Sequence, residues 1–342
     1  MAIVVRSFAK INLGLKIGHA RADGFHELRT IYQTLALHDV VRVEVQPGSG
    51  IEIRCDDPRV PLDQSNTCYK VAERVLKAIP RGLKPTSKNS LGGAAEAVPF
   101  RGKVVIQIDK RLPVQGGLGA ASSNAVATML GLEGELGMKL SLQDKVCIAA
   151  EVGSDLSLFL IGGTVLGVGR GEEVYPLQDL PAMHVVVVTP TVGISTPEAF
   201  ARWDELVARE AGLTGPDTTG TIREFAQAVF AWLSEPTSGV PAVGGDRAET
   251  LLLDLVRAGI ENDFERVVFP EYPDFREVKR VLEREGAQYA SLSGSGSTVY
   301  GLFGSGETAQ AAARRMKAAG HAAVATTTLT RDQYWKQLFT SG

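Results

Sequence analysis

The most prominent chemical feature of the chain is a glycine-rich run at residues 112–124, which joins a strand-like segment to an apolar, alanine-rich segment typical of a helix. Small residues let backbone N–H groups converge on an anion, and a helix beginning near Ser122 or Ser123 adds unpaired amides and the positive end of its dipole. The run has neither the Gly-Lys-Ser/Thr ending of a P-loop nor the spacing of a dinucleotide fingerprint. It therefore predicts a phosphate-binding loop of another kind, with an ordinary tight turn as the alternative.

A lysine and an aspartate stand at positions where a charge could act on a substrate. Lys10 and Asn12 occupy even positions in a segment whose odd positions are mostly apolar from Ile3 to Ile17. This alternation predicts a strand with Lys10 and Asn12 on one half-solvated face. Asp155 follows a predicted helix at about 142–152, where an acidic residue beside a glycine usually caps a helix.

Strands and helices alternate along the rest of the chain. The segment 103–109 predicts a strand leading into the glycine-rich run, and 185–188 predicts another. Thr196 is placed to cap a helix whose first residue is Pro197, and apolar spacing over 222–233 predicts an amphipathic helix. The predicted C-terminal order, part of a split β-α-β arrangement, is helix 274–285, strand 288–292, loop 293–297, strand 298–303, helix 307–319 and strand 322–328. The Ser/Gly loop at 293–297 is either a second set of backbone donors or a structural turn.

Composition limits the class of protein. A chain of 342 residues can form two domains, and 44% hydrophobic residues, 22% charged residues and a net charge of −3 are typical of a globular protein. The absence of a polybasic stretch argues against nucleic acid as the main partner and leaves a small anionic metabolite. The N-terminal apolar segment is interrupted by Arg6, Lys10 and Lys16, so we expect neither a signal peptide nor a membrane span.

The chain has three cysteines, Cys55, Cys68 and Cys147. Their number is odd and their spacing is not that of metal ligands, so they are interpreted as reduced thiols in a cytoplasmic protein. A redox role is therefore not expected.

Six ordered blocks of sequence together resemble the GHMP kinase superfamily, and within it the members that act on a cytidine-diphospho sugar alcohol. The blocks are 9–13, 22–28, 112–124, 153–155, 261–265 and 292–297. The resemblance implies an α+β, two-domain GHMP kinase fold, with a ribosomal protein S5 domain 2-like domain at 1–180, a ferredoxin-like domain at 181–342 and the active site between them. The stretches 80–102 and about 212–250 look like insertions.

The resemblance implies ATP-dependent phosphorylation of the tertiary 2-hydroxyl of such a substrate in isoprenoid precursor synthesis. Lys10 and Asp155 match the catalytic residues, and a cation beside a carboxylate keeps it ionised and can stabilise charge on the reacting groups. ATP and Mg²⁺ are the implied cofactors, without assignable metal ligands. The residues matched to ATP are Pro113, Val114, Gln115, Gly116, Gly117, Leu118, Gly119, Ala120, Ala121, Ser122, Ser123 and, near the adenine, Asn66.

Four further residues are assigned to the substrate by the resemblance. Phe25 and Phe200 match an aromatic pair that sandwiches cytosine, His26 matches a group that hydrogen-bonds it, and Asn12 is placed beside them. Stacking between two aromatic rings would distinguish a cytidine substrate from the small alcohols used elsewhere in the superfamily.

Several positions depart from the family pattern. Gln115, Ala120 and Ala121 stand where small residues or glycine are usual, and a Cβ at any position with φ > 0 would strain the loop and reduce ATP affinity. The usual Val-Pro-aromatic after the aspartate is replaced at 156–158, and Phe25 replaces the commoner tyrosine. Two alternatives stay open: a superfamily kinase for mevalonate, homoserine or a sugar, and a catalytically silent binding protein on this fold. Oligomeric state is not assigned.

Overall fold

The computed structural model describes residues 2–78, 102–190, 192–214 and 260–340. Up to residue 176, the described elements in chain order are β1 (Ile3–Ala20), β2 (His26–Gln46), β3 (Gly50–Cys55), α1 (Thr67–Ala78), β4 (Lys103–Asp109), α2 (Ala120–Leu136), α3 (Leu142–Val152), α4 (Leu156–Phe159), β5 (Thr164–Val168) and β6 (Glu173–Pro176). They are followed by β7 (His184–Thr189), α5 (Thr196–Thr214), α6 (Glu265–Glu271), α7 (Pro273–Arg284), β8 (Tyr289–Leu292), β9 (Val299–Phe303), α8 (Gly306–Ala318), β10 (Ala322–Thr327) and α9 (Arg331–Leu338).

The first sheet has the strand order β3-β4-β2-β5-β6, with β1 paired antiparallel to β2. Helix α2 packs on β1 and β2 and is buried on most sides, as its apolar, alanine-rich sequence requires. Gly131 lets the helix approach β2 closely, because a Cβ there would lie 2.6 Å from Val43 Cγ2. This packing fixes the N-terminus of α2, where the predicted phosphate loop ends.

The second sheet is antiparallel throughout, in the order β10-β7-β9-β8. Helix α7 packs on β8 and β9, and α8 packs on β7, β9 and β10. Two helices that connect strands of one antiparallel sheet form the split β-α-β arrangement that the C-terminal sequence predicts. The observed elements from α7 to β10 agree with the predicted ones to within one residue at every end, and α9 was not predicted.

β1 connects the two parts of the molecule. Leu15 exchanges backbone hydrogen bonds with Glu261 and Asp263, and Lys16 Nζ lies 2.9 Å from Asp263 Oδ1 in a buried ion pair. Burial raises the pKa of Asp263 even though the lysine opposes the shift. At the other end of the chain, α9 packs on β1, and its Tyr334 donates to the Phe159 carbonyl of α4 at 2.7 Å.

Three local predictions were wrong in detail. The face of β1 that carries Lys10 and Asn12 is buried rather than half-solvated, because elements from the second part of the chain cover it. Helix α2 begins at Ala120 and not at Ser122 or Ser123, after Gly119 with φ 69°. Thr196 is the first residue of α5 rather than its cap, and its Oγ1 lies 2.8 Å from Ser295 Oγ.

Some predictions fall outside the described residues. These are the helix at 222–233 and most of the two proposed insertions, 80–102 and 212–250. The domain boundary at residue 180 stays a proposal, and it falls between β6 and β7. The three cysteines are free thiols, and burial raises the pKa of Cys68 to about 12. Among the described helices, none combines the length and apolar character needed to cross a membrane.

Candidate active site

Lys10 and Asp155 lie together although 144 residues separate them in sequence. Lys10 projects from β1 and is 4% exposed, and its Nζ lies 3.3 Å from Asp155 Oδ2. The same Nζ donates to Asn12 Oδ1 at 2.7 Å, because the two residues alternate onto one face of the strand. The structure therefore brings the predicted catalytic pair into contact.

Asp155 does not cap the helix that follows it. It stands before the short helix α4, yet its side chain makes no capping hydrogen bond. Its Oδ2 instead faces Lys10, and its Oδ1 accepts a hydrogen bond from Tyr32 at 3.1 Å. The carboxylate is thus oriented toward a buried cation and a buried phenol, and not toward the backbone N–H groups of α4.

Tyr32 is a site residue that the sequence analysis missed. It lies on β2, is 3% exposed, and pairs in register with Asn12 of β1. Burial raises the pKa of Tyr32 well above its ordinary value, and the charge of Asp155 adds to the shift. The phenol therefore stays protonated and serves Asp155 as a donor. Only the β1–β2 register could have placed it beside the pair, and the sequence alone does not fix that register.

Asn12 holds Lys10 in place rather than offering a free side chain. Its Oδ1 accepts from Lys10, and its Nδ2 donates to Thr30 Oγ1 at 2.7 Å. The residue is 1% exposed. Both ends of the amide are thus used inside the protein, so the geometry favours a positioning role over the predicted contact with substrate.

The glycine-rich loop is fixed by its carbonyl groups. Gly116 O accepts from Thr298 N at 3.3 Å, Gly117 O from Ser293 Oγ at 3.0 Å, and Leu118 O from Lys10 N at 2.9 Å. The Ser/Gly loop at 293–297 therefore braces this loop. No side chain fits between them, since a Cβ on Gly117 would lie 2.2 Å from the Ser293 carbonyl oxygen.

Backbone angles separate the three unusual residues of the loop. Gln115 has φ 59°, the left-handed region in which a Cβ is unfavourable, and it is the only non-glycine residue with positive φ in the described ranges. Ala120 and Ala121 are the first residues of α2 and lack this strain. The condition for strain, a positive φ, is therefore met at Gln115 and not at the two alanines.

The N-terminus of α2 is open to an anion. Gly119 at the cap has no side chain to accept a hydrogen bond from the first helical N–H groups, which remain available. A cavity of about 380 Å³ adjoins it, lined by residues 113–122 and by Asn66 among others. Ser123 is 2% exposed and lies behind this wall, where its N–H bonds to Gly119 O at 2.9 Å.

Two buried residues fix the walls of the cavity: Asp39, which the sequence analysis missed, and Asn66, which it assigned to this region. Asp39 accepts hydrogen bonds from the backbone of Arg111 and Leu112 and from the side chains of Lys110 and Asn124, so it ties both ends of the loop to β2. Asn66 lines the cavity beside the loop. Its side chain accepts from Cys68 N and donates to the Pro61 carbonyl, which fixes the start of α1 at the cavity wall.

The predicted nucleobase residues lie at the start of β2 and on α5. His26 stacks on Phe200 with ring centroids 5.0 Å apart, and His26 Nε2 lies 2.7 Å from Asp204 Oδ1. Phe25 is half-exposed, and the guanidinium carbon of Arg170 lies 4.9 Å from its ring centroid. The structure thus brings His26 and Phe200 together, while Phe25 is paired with an arginine.

Known proteins resemble this chain over most of its length. Family models match as the GHMP kinases N terminal domain over residues 66–163 and as GHMP kinases C terminal over residues 248–322. A 4-diphosphocytidyl-2-C-methyl-D-erythritol kinase of Solibacter usitatus is 35% identical over 87% of this chain and 80% of its own. One of Acaryochloris marina is 32% identical over 93% of this chain and 92% of its own. The chain belongs to the 4-diphosphocytidyl-2-C-methyl-D-erythritol kinase family.

Solved structures agree with this assignment. A crystal structure of 4-(cytidine 5'-diphospho)-2C-methyl-D-erythritol kinase is 27% identical, with a TM-score of 0.67 and coverage of 95% of this chain and 98% of that one. A homoserine kinase of Cytophaga hutchinsonii is 20% identical, with a TM-score of 0.64 over 96% of this chain and 95% of its own, and shares the fold. The predicted α+β GHMP kinase fold is confirmed, and the protein is an ATP-dependent small-molecule kinase.

The site offers few protein ligands for a metal ion. Within the described ranges, no three His, Cys, Asp or Glu side chains are placed to hold one together. Both oxygens of Asp155 already contact Lys10 and Tyr32. Mg²⁺ commonly keeps several waters and binds substrate phosphates with one or two carboxylates. A site with so few available carboxylates fits a Mg²⁺ ion held mainly by ATP and water.

Proposed function

We propose that the enzyme transfers the γ-phosphoryl group of ATP to the 2-hydroxyl of 4-diphosphocytidyl-2-C-methyl-D-erythritol, in the non-mevalonate synthesis of isoprenoid precursors. The observation that carries this proposal is that Lys10 contacts both parts of the site. Its backbone N–H donates to Leu118 O in the phosphate loop, and its Nζ lies 3.3 Å from Asp155. A phosphoryl group held at the loop therefore meets the carboxylate next to a buried cation.

The roles of the catalytic residues follow from these contacts. Asp155 accepts the proton of the attacking hydroxyl, and Lys10 stabilises negative charge on that oxygen and on the transferred phosphoryl group. Tyr32 holds one carboxylate oxygen of Asp155, and Asn12 holds the ammonium group of Lys10. Positioning and charge stabilisation account for most of the rate in phosphoryl transfer, so these two supports contribute to catalysis without touching substrate.

ATP is held by the loop at 113–119 and by the first amides of α2. These N–H groups and the helix dipole stabilise the phosphates, and the adenine occupies the cavity beside Asn66. When Mg²⁺ is bound with ATP, it neutralises charge on the β- and γ-phosphates. We assign no residue of the chain as its ligand.

Cytosine recognition is proposed for Phe25, Phe200 and His26. Phe25 presents a half-exposed ring, and Phe200 has His26 stacked on it. In the proposed complex the cytosine stacks on both phenylalanines, and His26 turns from Phe200 to the polar edge of the base. Such contacts select cytidine over the small alcohols phosphorylated by other enzymes of this fold.

An ADP-release assay with three acceptors tests the function. We expect ATP-dependent ADP release with 4-diphosphocytidyl-2-C-methyl-D-erythritol and none above background with mevalonate or homoserine. Activity with one of the control alcohols alone would transfer the assignment to that alcohol. Binding of ATP without turnover of any acceptor would favour a catalytically silent protein. The free thiols of the chain suit a reducing compartment, so we place the reaction in the cytoplasm.

A further inference from the structure

The turn between β5 and β6 presents one arginine at its tip. Gly169 and Gly171, with φ 69° and 98°, flank Arg170, and Gly171 N donates to Val168 O at 2.9 Å to close the turn. Positive φ at both flanking positions fixes the tight shape and directs the chain around Arg170. Nothing in the sequence analysis assigned a role to this residue.

This turn lies between the two ends of the proposed substrate site. On one side, Leu28 N donates to Gly169 O at 2.6 Å, and Arg170 lies over the ring of Phe25. On the other side, a Cβ on Gly171 would lie 2.5 Å from Tyr32 Oη, the atom that donates to Asp155. The turn therefore extends from Phe25, the proposed cytosine contact, to Tyr32, which donates to Asp155.

The chemistry of the substrate places its diphosphate along this turn. In a cytidine-diphospho sugar alcohol, the diphosphate joins the nucleoside to the alcohol. If cytosine lies on Phe25 and the reacting hydroxyl meets Asp155, the diphosphate lies between them. We propose that Arg170 binds the diphosphate of the nucleotide substrate, an inference that rests on the proposed function.

The contacts of Arg170 suit this role. Its Nε donates to Glu172 Oε1 at 2.9 Å, whereas its terminal nitrogens donate no hydrogen bond within the described part of the chain. The guanidinium group is held over the Phe25 ring, and its terminal nitrogens form the planar fork that binds phosphate oxygens in pairs. Two other cations of this region are already engaged: Lys10 by Asp155 and Asn12, and Arg21 by Asp23 and Glu27.

Binding of CDP and of cytidine to the full chain separates a phosphate contact from support of the aromatic ring. The wild-type protein should bind CDP more tightly than cytidine in calorimetric titrations. In Arg170→Met, that preference should fall about tenfold or more, since hydrogen bonds to charged groups are lost, with cytidine affinity changed much less. Arg170→Lys should retain part of the preference, because it keeps the charge without the planar fork.

Arg54→Met is a matched control, because Arg54 likewise pairs through Nε with a glutamate two residues away, on the opposite edge strand of the sheet. It should leave the preference for CDP unchanged. An equal loss of cytidine and CDP affinity in Arg170→Met, or no loss of either, overturns the diphosphate contact while the proposed function stands. Failure of the wild-type protein to bind either ligand overturns both.

Discussion

The two sides of the proposed site present different chemical groups: the ATP side, at residues 113–119, presents main-chain groups, and the nucleobase side, at residues 21–28, presents side chains. The loop at 113–119 is fixed through its main chain, with three consecutive carbonyls bonded to the protein and glycines where another chain segment approaches. The turn at 21–28 instead presents side chains, above all the half-exposed Phe25 and the stacked His26. In the proposed complex, ATP would therefore meet a main-chain surface that is shaped in advance, while the nucleobase would meet aromatic side chains.

This difference determines what each side tolerates. The glycine-rich loop and the start of α2, called the cradle below, bind through main-chain N–H groups, so they accept other side chains wherever the backbone angles permit. This explains how Ala120 and Ala121 can replace glycine at the start of a helix. The proposed clamp of Phe25 and Phe200 binds through the faces of its two rings, so its affinity for a base depends on the identity of each ring. We therefore expect substitutions at the cradle to have small effects, and substitutions at the catalytic pair and the clamp to have large ones.

The largest effect is expected where the two sides meet. Asp155→Asn should lower turnover by about 10²-fold or more while ATP binding and the fold persist, because the carboxylate is the proposed base and does not cap α4. Lys10→Ala should behave similarly. Turnover is measured at saturating substrates, with Asp144→Asn at the exposed start of α3 as control. Near-normal turnover in both variants would remove this pair from the chemistry.

The next effect concerns the nucleobase side alone. Phe25→Ala or Phe200→Ala should weaken the apparent affinity for the cytidine substrate roughly 5- to 150-fold, because base–aromatic stacking contributes about 1–3 kcal/mol. The KM for ATP should change much less. Steady-state kinetics with each substrate varied in turn measures both values.

Two further variants test whether the loss of affinity is specific to the cytosine contacts. Phe339→Ala removes a ring of similar exposure, 49% against 50% for Phe25, from the residue after α9 that bridges Val5 near the start of β1, and should leave both KM values unchanged. His26→Ala should weaken discrimination between cytosine and uracil nucleotides. Equal losses of ATP and cytidine affinity in the phenylalanine variants would contradict the proposed sandwich.

The contrast between the sides also shows what a sequence can predict. Helix α3 has the predicted bounds, and the strands of the second sheet follow from short apolar runs bounded by turn residues. The catalytic pair came from the family resemblance, since Lys10 alone resembles a surface lysine on a strand. Tyr32 and Asp39 act through partners on other elements, and their roles depend on strand register and on packing across the sheet. Local patterns carry no information about either.

A smaller effect is expected from Tyr32→Phe, which keeps the ring and removes the donor to Asp155. Hydrogen bonds to charged groups contribute about 1.5–3 kcal/mol, so kcat should fall roughly tenfold or somewhat more with little change in either KM. Burial raises the pKa of Tyr32 well above its ordinary value, so the phenol stays protonated in the folded enzyme. The ratio of wild-type to variant kcat should therefore be constant from about pH 7 to about pH 9. A ratio that declines toward higher pH, or a rise in KM without loss of kcat, would contradict the positioning role.

The smallest effects test the cradle itself and should have opposite signs. In the wild-type protein, the Cβ of Gln115 in left-handed backbone costs about 1–2 kcal/mol of stability. Gln115→Gly removes this cost, and the gain exceeds the stability lost through the greater chain entropy of glycine in the unfolded state. The Gln115→Gly variant should be more stable by roughly 0.5–1 kcal/mol.

Ala120 and Ala121 lie in helical backbone, so Ala120→Gly and Ala121→Gly should each lower the free energy of unfolding by about 0.5–1 kcal/mol, without tighter binding of a non-hydrolysable ATP analogue. Thermal unfolding and calorimetric titration measure the two quantities, and Gln115→Ala separates loss of the long side chain from loss of the Cβ. Tighter ATP binding after the alanine substitutions would mean that the start of α2, and not Gln115, limits the fit of the phosphates.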